Sequence, residues 1–210
     1  MEITFLGHSC FRLRAKDVTL ITDPYQAVPD RPPLRLQGEI VTISHDHQGH
    51  NNVAAVGGSP RVIQGPGEYE IRGALITGVA AFHDTVSGRK SGRNTIYVIQ
   101  MEDVRLCHLG DLGHALSTEQ IDEIGPVDVL FVPARGAILD MSRTSEVISQ
   151  IEPNIIVPMH FPSTDEEGLA SIAKFCHELG LRQIVPQPKL TVTKASVPQE
   201  TQVIVLEARQ

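Results

Sequence analysis

The run Ile40-Val41-Thr42-Ile43-Ser44-His45-Asp46-His47-Gln48-Gly49-His50 decides how the rest of the chain is read. Its first four residues are apolar or β-branched, the composition of a strand buried on both faces, and Ser44 ends it. The histidines therefore follow the carboxyl end of a core strand. Alternate residues of an extended segment point the same way, so His45 and His47 can converge on one ion, and a turn at Gly49 can bring His50 to a neighbouring position. Imidazole nitrogens suit Zn, Fe, Ni or Cu far better than Mg or Ca. The plain alternative is a surface loop carrying three solvated histidines.

Toward the N-terminus, residues 2–6, 10–15 and 18–22 alternate or cluster Ile, Phe, Leu and Val between short turns, the pattern of an antiparallel meander. A proline-rich loop (Pro24, Pro29, Pro32, Pro33) separates it from the core strand. Toward the C-terminus the pattern predicts strands at 61–64, 69–72, 74–79, 95–101, 103–107, 127–132 and 155–158. It places helices over 117–124, around 143–151, and over 169–179. The last has capping-box spacing in Ser163-Thr164-Asp165-Glu166 and closes at Gly180. The tail, 189–194 and 202–207, reads as strand again. Strands come first and then alternate with helices, so mixed sheets covered by helices are the expected solution. Three further candidate ligands, His83, Asp111 and His160, stand at or just after predicted strand ends, and ligands gathered from separate strand ends make a rigid site.

Bulk properties narrow the function. A length of 210 residues suits one domain with a sizeable core. With 18 Lys+Arg against 25 Asp+Glu the net charge is -7, and no dense basic block overrides it, so nucleic acid is not an expected partner. The start Met1-Glu2-Ile3-Thr4-Phe5-Leu6-Gly7 lacks a basic and apolar leader, and no stretch approaches the roughly 20 apolar residues of a membrane span. A cytoplasmic protein with no membrane partner is the expectation. Cys10, Cys107 and Cys176 are odd in number and far apart, which fits thiols in a reducing compartment; Cys10 and Cys107 sit in apolar strand contexts and read as core.

The order of His-x-His near residue 45, an isolated mid-chain His, Gly-Asp after a strand and a late His after another resembles the metallo-β-lactamase superfamily. More narrowly, Phe5-Leu6-Gly7-His8-Ser9, Ile21-Thr22-Asp23-Pro24, Gly65-Pro66-Gly67-Glu68-Tyr69, Gly110-Asp111-Leu112-Gly113-His114 and Pro158-Met159-His160 resemble a branch of predicted zinc-dependent hydrolases that includes ascorbate-6-phosphate lactonase-like proteins. The resemblance implies an α/β (α+β) fold, a four-layer αββα sandwich in a single domain over 1–210. It implies one or two zinc ions, with Mn, Fe or Ni as other candidates. His45, His47 and His83 would hold the first ion, His50 and His160 the second, and Asp111 would bridge them. The implied chemistry is attack of metal-bound hydroxide on an ester, lactone, amide or phosphodiester bond of a small-molecule substrate; a homo-oligomer is compatible with it.

The superfamily pattern is His-x-His-x-Asp-His, and Gly49 stands where its aspartate belongs. Without that carboxylate the two ions face an excess of positive charge, which either lowers occupancy of the second site or welcomes an anionic substrate; a well-filled first site and a weak second one are expected. The rival reading is a catalytically weakened metal- or metabolite-binding protein on the same scaffold. Glu68 or Glu70 could supply a carboxylate from another loop, whereas Asp46 should point away from the metal. His8 reads either as a group on substrate or metal-bound water or as a turn histidine, and Asp23 as the partner of a ligand histidine's second nitrogen. His114 is a candidate general acid or a loop residue. His108 reads as packed or as a support behind the ligands, His177 as a surface helix residue, and Arg135-Gly136 as solvated charge by default, with contact to an anionic substrate the alternative.

Overall fold

The computed structural model describes residues 1–26, 33–134, 139–161, 166–180 and 185–209, with nothing given for the side chains of 166–169 and 171. The expected contact at Arg135-Gly136 and the cap at 163–165 lie outside the described residues. In chain order the strands begin with β1 (Glu2–Gly7), β2 (Cys10–Arg14), β3 (Thr19–Thr22), β4 (Leu36–Gln37), β5 (Ile40–Ile43) and β6 (Val56–Gly57). They continue with β7 (Arg61–Gln64), β8 (Gly67–Ile71), β9 (Ala74–Phe82), β10 (Arg93–Met101) and β11 (Val104–His108). Then come α1 (Thr118–Ile124), β12 (Val129–Pro133), α2 (Met141–Ile151), β13 (Ile155–Met159), α3 (Glu166–Glu178), β14 (Leu190–Thr191) and β15 (Gln202–Val203).

Two mixed sheets result. One has the order β14-β1-β2-β3-β5-β7 and the other β15-β13-β12-β11-β10-β9-β8, with β4 and β6 forming a small parallel pair apart. Alternation puts one face of each sheet against the other, where Phe5, Phe11 and Phe131 meet with ring centroids 5.0 and 4.3 Å apart. Strands β12 and β13 are buried on both faces, because a second apolar layer, including Val132, Ile156, Val147 and Phe175, packs their outer side against the helices. The outer face of the first sheet is covered by Tyr25, Leu36 and Val56 together with a 3-10 turn over Val53–Ala55. The expected sandwich of two sheets is borne out.

Helix ends follow their side chains. Ser117 and Gln120 make a capping box at the start of α1, and Asp140 caps α2 by accepting from the Arg143 amide. The hairpin of β9 and β10 runs further than its apolar pattern, to Phe82 and Arg93, because pairing continues past Gly78. A Cβ on Gly78 would lie 2.6 Å from the Gly65 carbonyl oxygen, so a close backbone crossing holds that glycine there. The tail strands are shorter than expected. After Thr191 the chain exchanges two hydrogen bonds between Val192 and Met1 and turns into the 3-10 segment Lys194–Ser196, and after Val203 the pairing passes to an isolated bridge between Gln187 and Leu206.

The sheets are stitched together at one rim. The Tyr97 hydroxyl, on β10, accepts from the Gly65 amide at 3.0 Å and donates to the Ile43 carbonyl at 3.0 Å, tying the ends of β5 and β7 across the interface. Replacement Tyr97→Phe keeps the ring and strands these buried groups, an expected loss of about 1–3 kcal/mol. Urea unfolding of the metal-free protein checks this; an unchanged midpoint would show the hydroxyl to be dispensable.

Candidate metal centre

Strands β1, β3, β5, β9, β11 and β13 deliver their carboxyl ends to that rim, the position where sheet proteins gather ligands. The residues just beyond them include His8, Asp23, His45, His83, Asp111 and His160. Asp111 stands in the middle. Its Oδ2 lies 3.0 Å from His83 Nε2, 3.3 Å from both His50 Nε2 and His160 Nε2, and 3.8 Å from His45 Nε2. His47, exposed, completes a group with His45 and His50; His45, His83 and Asp111 form another, and His8, His50 and His160 a third. Within each group the ligand atoms lie within 4.8 Å of one another.

Buried carboxylates and hydrogen bonds orient the imidazoles. Asp23, fully buried, accepts from the Ser44 amide at 2.8 Å and the Ser44 hydroxyl at 2.5 Å, and its Oδ2 meets His50 Nδ1 at 2.7 Å. Since the Ser44 proton goes to Asp23, Ser44 Oγ can only accept from His45 Nδ1, 3.0 Å away. That fixes the His45 tautomer: its Nε2 is a bare lone pair facing a carboxylate oxygen, an arrangement that calls for a cation between them. Burial, reinforced by the charge of His50, pushes His45 down to about 4, so it stays neutral at physiological pH. His50 goes the other way. Burial alone would lower it, but Asp23 and Asp111 together raise it to about 10, making it an imidazolium in the metal-free chain. Burial would likewise raise Asp111, yet the imidazoles of His160, His50 and His83 around its carboxylate hold it well below the usual carboxylate range.

Buried atoms without hydrogen-bond partners include His50 Nε2, His83 Nδ1 and Asp111 Oδ1. Such groups are costly to leave unmet, and two of them belong to the Asp111 ring. The donor set and its unmet valences fit a transition-metal centre. Backbone strain collects here too: His8, Asp23 and His160 have φ of 56°, 39° and 56°. Left-handed backbone in residues with a Cβ costs roughly 1–3 kcal/mol each and persists where the surroundings dictate it.

Other candidates fall outside the ring. The Phe82 amide donates to His114 Nε2 at 3.1 Å, so His114 Nδ1 carries the proton and donates it to the Ala115 carbonyl at 2.7 Å. No ring proton remains for a leaving group, which corrects the general-acid expectation: His114 pins β9 to the loop after β11. His108 is buried, donates to the Ser9 carbonyl and accepts from the Gly110 amide. Glu68 and Glu70 are exposed on the edge strand β8 and join no ligand group among the described residues, so neither supplies the missing carboxylate. Asp46 is exposed and bonds Asn51, and His177 is exposed on α3. The three cysteines are buried, and burial pushes Cys107 up to about 12 and Cys176 to about 11, which removes them as nucleophiles.

Two residues went unnoticed in the sequence. Ser44 relays Asp23 to His45, and buried Asn94 on β10 accepts from the Asp111 amide at 3.0 Å while donating to the Leu109 carbonyl at 2.8 Å. A cavity of about 620 Å³ opens beside His45, lined by Asp46, Pro66, Ala80, Phe82, Arg93 and Thr95 among others.

Residues 2–160 match the model of the β-lactamase superfamily domain. The chain belongs to the β-lactamase superfamily. A solved structure from Thermotoga maritima, assigned to the Zn-dependent hydrolases of the metallo-β-lactamase superfamily, shares 32% identity with a TM-score of 0.78, covering 98% of each chain. A UPF0173 protein of Pyrococcus abyssi is 28% identical over 202 residues, 88% of this chain and 93% of its own length. A UPF0173 metal-dependent hydrolase of Pyrococcus horikoshii is 26% identical over 192 residues, 77% and 84% respectively. This member of the β-lactamase superfamily has, among the described residues, no helix long and apolar enough to cross a membrane.

Proposed function

We propose that this protein is a metal-dependent hydrolase of a small-molecule substrate. The observation that carries this reading is the ring of four imidazole Nε2 atoms, from three separate segments, around one buried carboxylate oxygen of Asp111. In it His45, His47 and His83 would hold one ion and His50 and His160 a second, with Asp111 shared; zinc is the ion the imidazole-rich set suits best. When bound, such ions lower the pKa of water from 15.7 to about 7 and polarise a carbonyl or phosphoryl oxygen.

The chain's own residues do the rest. Asp111 Oδ1, buried and without a hydrogen-bond partner, is free to orient the attacking water. Asp23 holds His50 in register through Nδ1, and Asn94 fixes the Asp111 backbone. The substrate enters by the cavity beside His45, where Phe82 and Pro66 offer apolar surface and Arg93 a positive charge for an anionic group. The cleaved bond is an ester, lactone, amide or phosphodiester. Residues 1–210 act as one domain, in the cytoplasm, with no nucleic acid or membrane partner.

Elemental analysis of purified protein, joined to turnover on aryl esters, lactones, anilides and bis(p-nitrophenyl) phosphate, tests this. Chelation should abolish turnover, and added zinc should restore it. Thermal stability should fall on chelation by about 2.7 kcal/mol if the ion had been at 100 times its Kd. Absence of bound metal together with a melting temperature indifferent to chelator would reject the proposal.

A further inference from the structure

The space that a side chain at position 49 would enter is already filled. A Cβ built on Gly49 would lie 2.5 Å from His8 Nε2 and 3.1 Å from His8 Cδ2. Position 49 is where the family pattern places an aspartate, so the imidazole of His8 occupies the ground that the absent carboxylate would claim. Resting on the metal reading above, we infer that His8 is itself a ligand of the second ion, standing in for the carboxylate that the chain lacks at Gly49.

Three observations support it. The ligand atoms of His8, His50 and His160 all lie within 4.8 Å of one another. Zn–N bonds of about 2.0–2.1 Å put tetrahedral ligand atoms about 3.3 Å apart, so modest ring rotations close the set. The rings are already gathered: the His8 centroid is 3.9 Å from that of His160 and 4.8 Å from that of His50. The backbone locks the pair as well. The His160 amide donates to the His8 carbonyl at 2.6 Å, and both residues hold the left-handed conformation at φ 56°. With Asp111, the second position then has His8, His50 and His160 as donors, four protein ligands that a bound water would expand to five-coordination. The second site is complete without residue 49, and the expected weakness of that site disappears.

The test counts metal by elemental analysis on metal-free protein reloaded with zinc and freed of excess by gel filtration. Wild type should hold two ions per chain and His8→Ala one. His8→Ala combined with Gly49→Asp should return to two, because removing the ring opens the space for the carboxylate; a merely structural His8 would not give that rescue. His8→Gly, which takes φ 56° without strain, repeats the measurement in case the alanine variant fails to fold. Two ions in a folded His8 variant, or one in wild type, would overturn the inference and leave the metal reading standing. No ions in wild type would overturn both. If neither variant folds, the di-cobalt wild type decides: six paramagnetically shifted imidazoles are expected, and five would overturn the assignment.

Discussion

Asp23→Ala should lower the stability of the metal-free protein by about 3–5 kcal/mol, the usual consequence of removing one partner from a buried charge pair. Asp23 and His50 are both fully buried, 2.7 Å apart, and the same carboxylate takes two further hydrogen bonds from Ser44. Alanine leaves three donors aimed at an apolar void. The loaded protein should suffer differently. Losing the carboxylate that orients a ligand imidazole typically costs about 10–100-fold in metal affinity. Urea unfolding in chelator and zinc titration read the two effects separately. Stability within experimental scatter of wild type, with zinc affinity unchanged, would remove Asp23 from the centre.

The pH dependence of the metal-free protein carries the same signature. His50 is raised from its ordinary 6.5 to about 10, so the stability it contributes is fully present below 6.5 and is lost as pH climbs through 10. Asp23 and Asp111 are lowered from 3.8, so their contributions are present above 3.8 and are lost as pH falls through their folded values. Stability from this cluster is therefore greatest between 3.8 and 6.5. In Asp23→Ala, the alkaline decline between 6.5 and 10 should become shallower, since only Asp111 is left to favour the His50 cation.

What the sequence disclosed and what it hid follow from the range of the interactions. The ends of β5, β9, β11 and β13 were legible because apolar runs stop at them and His45, His83, Asp111 and His160 follow directly. Two-sheet packing followed from strands that alternate early and become continuously apolar late. Ser44, Asn94 and Tyr97 were not legible. Each is one polar residue in or beside a strand, and its role depends on a partner in another segment: Asp23 is 21 positions from Ser44, and Leu109 is 15 from Asn94. The meaning of Gly49 was hidden for the same reason. Its departure from the family pattern is plain in the sequence, but its complement, His8, lies far back in the turn between β1 and β2, and only the folded chain brings the two together. Glu68 and Glu70 look as suitable by residue type, and β8 carries them to an exposed edge instead.

Gly113→Ala should misplace His83 and cost about 10²-fold in turnover while lowering stability by about 1–3 kcal/mol. The loop after β11 passes so close to the end of β9 that a Cβ on Gly113 would press on the carbonyl carbon of His83 and lie 2.5 Å from both the His83 oxygen and the Asp84 nitrogen. These are backbone atoms, so no rotamer change relieves the clash. They cannot retreat freely either, because the same loop holds this strand end from two sides. The Gly113 amide donates to the Phe82 carbonyl, and the Phe82 amide donates to His114 Nε2. Beyond His83, the Asp84 carboxylate accepts from the amides of Val86, Gly88, Lys90 and Ser91 and stiffens the turn. A displacement of the backbone by the room a methyl group needs must therefore pass into the His83 side chain, whose Nε2 stands 3.0 Å from Asp111. Zinc stoichiometry after gel filtration should fall in this variant, since His83 is the proposed ligand of the first ion, whereas the His8 variants should deplete the second. Full occupancy with unchanged turnover would mean that the centre tolerates His83 about 1 Å out of place, and its rigidity could then no longer rest on this crossing.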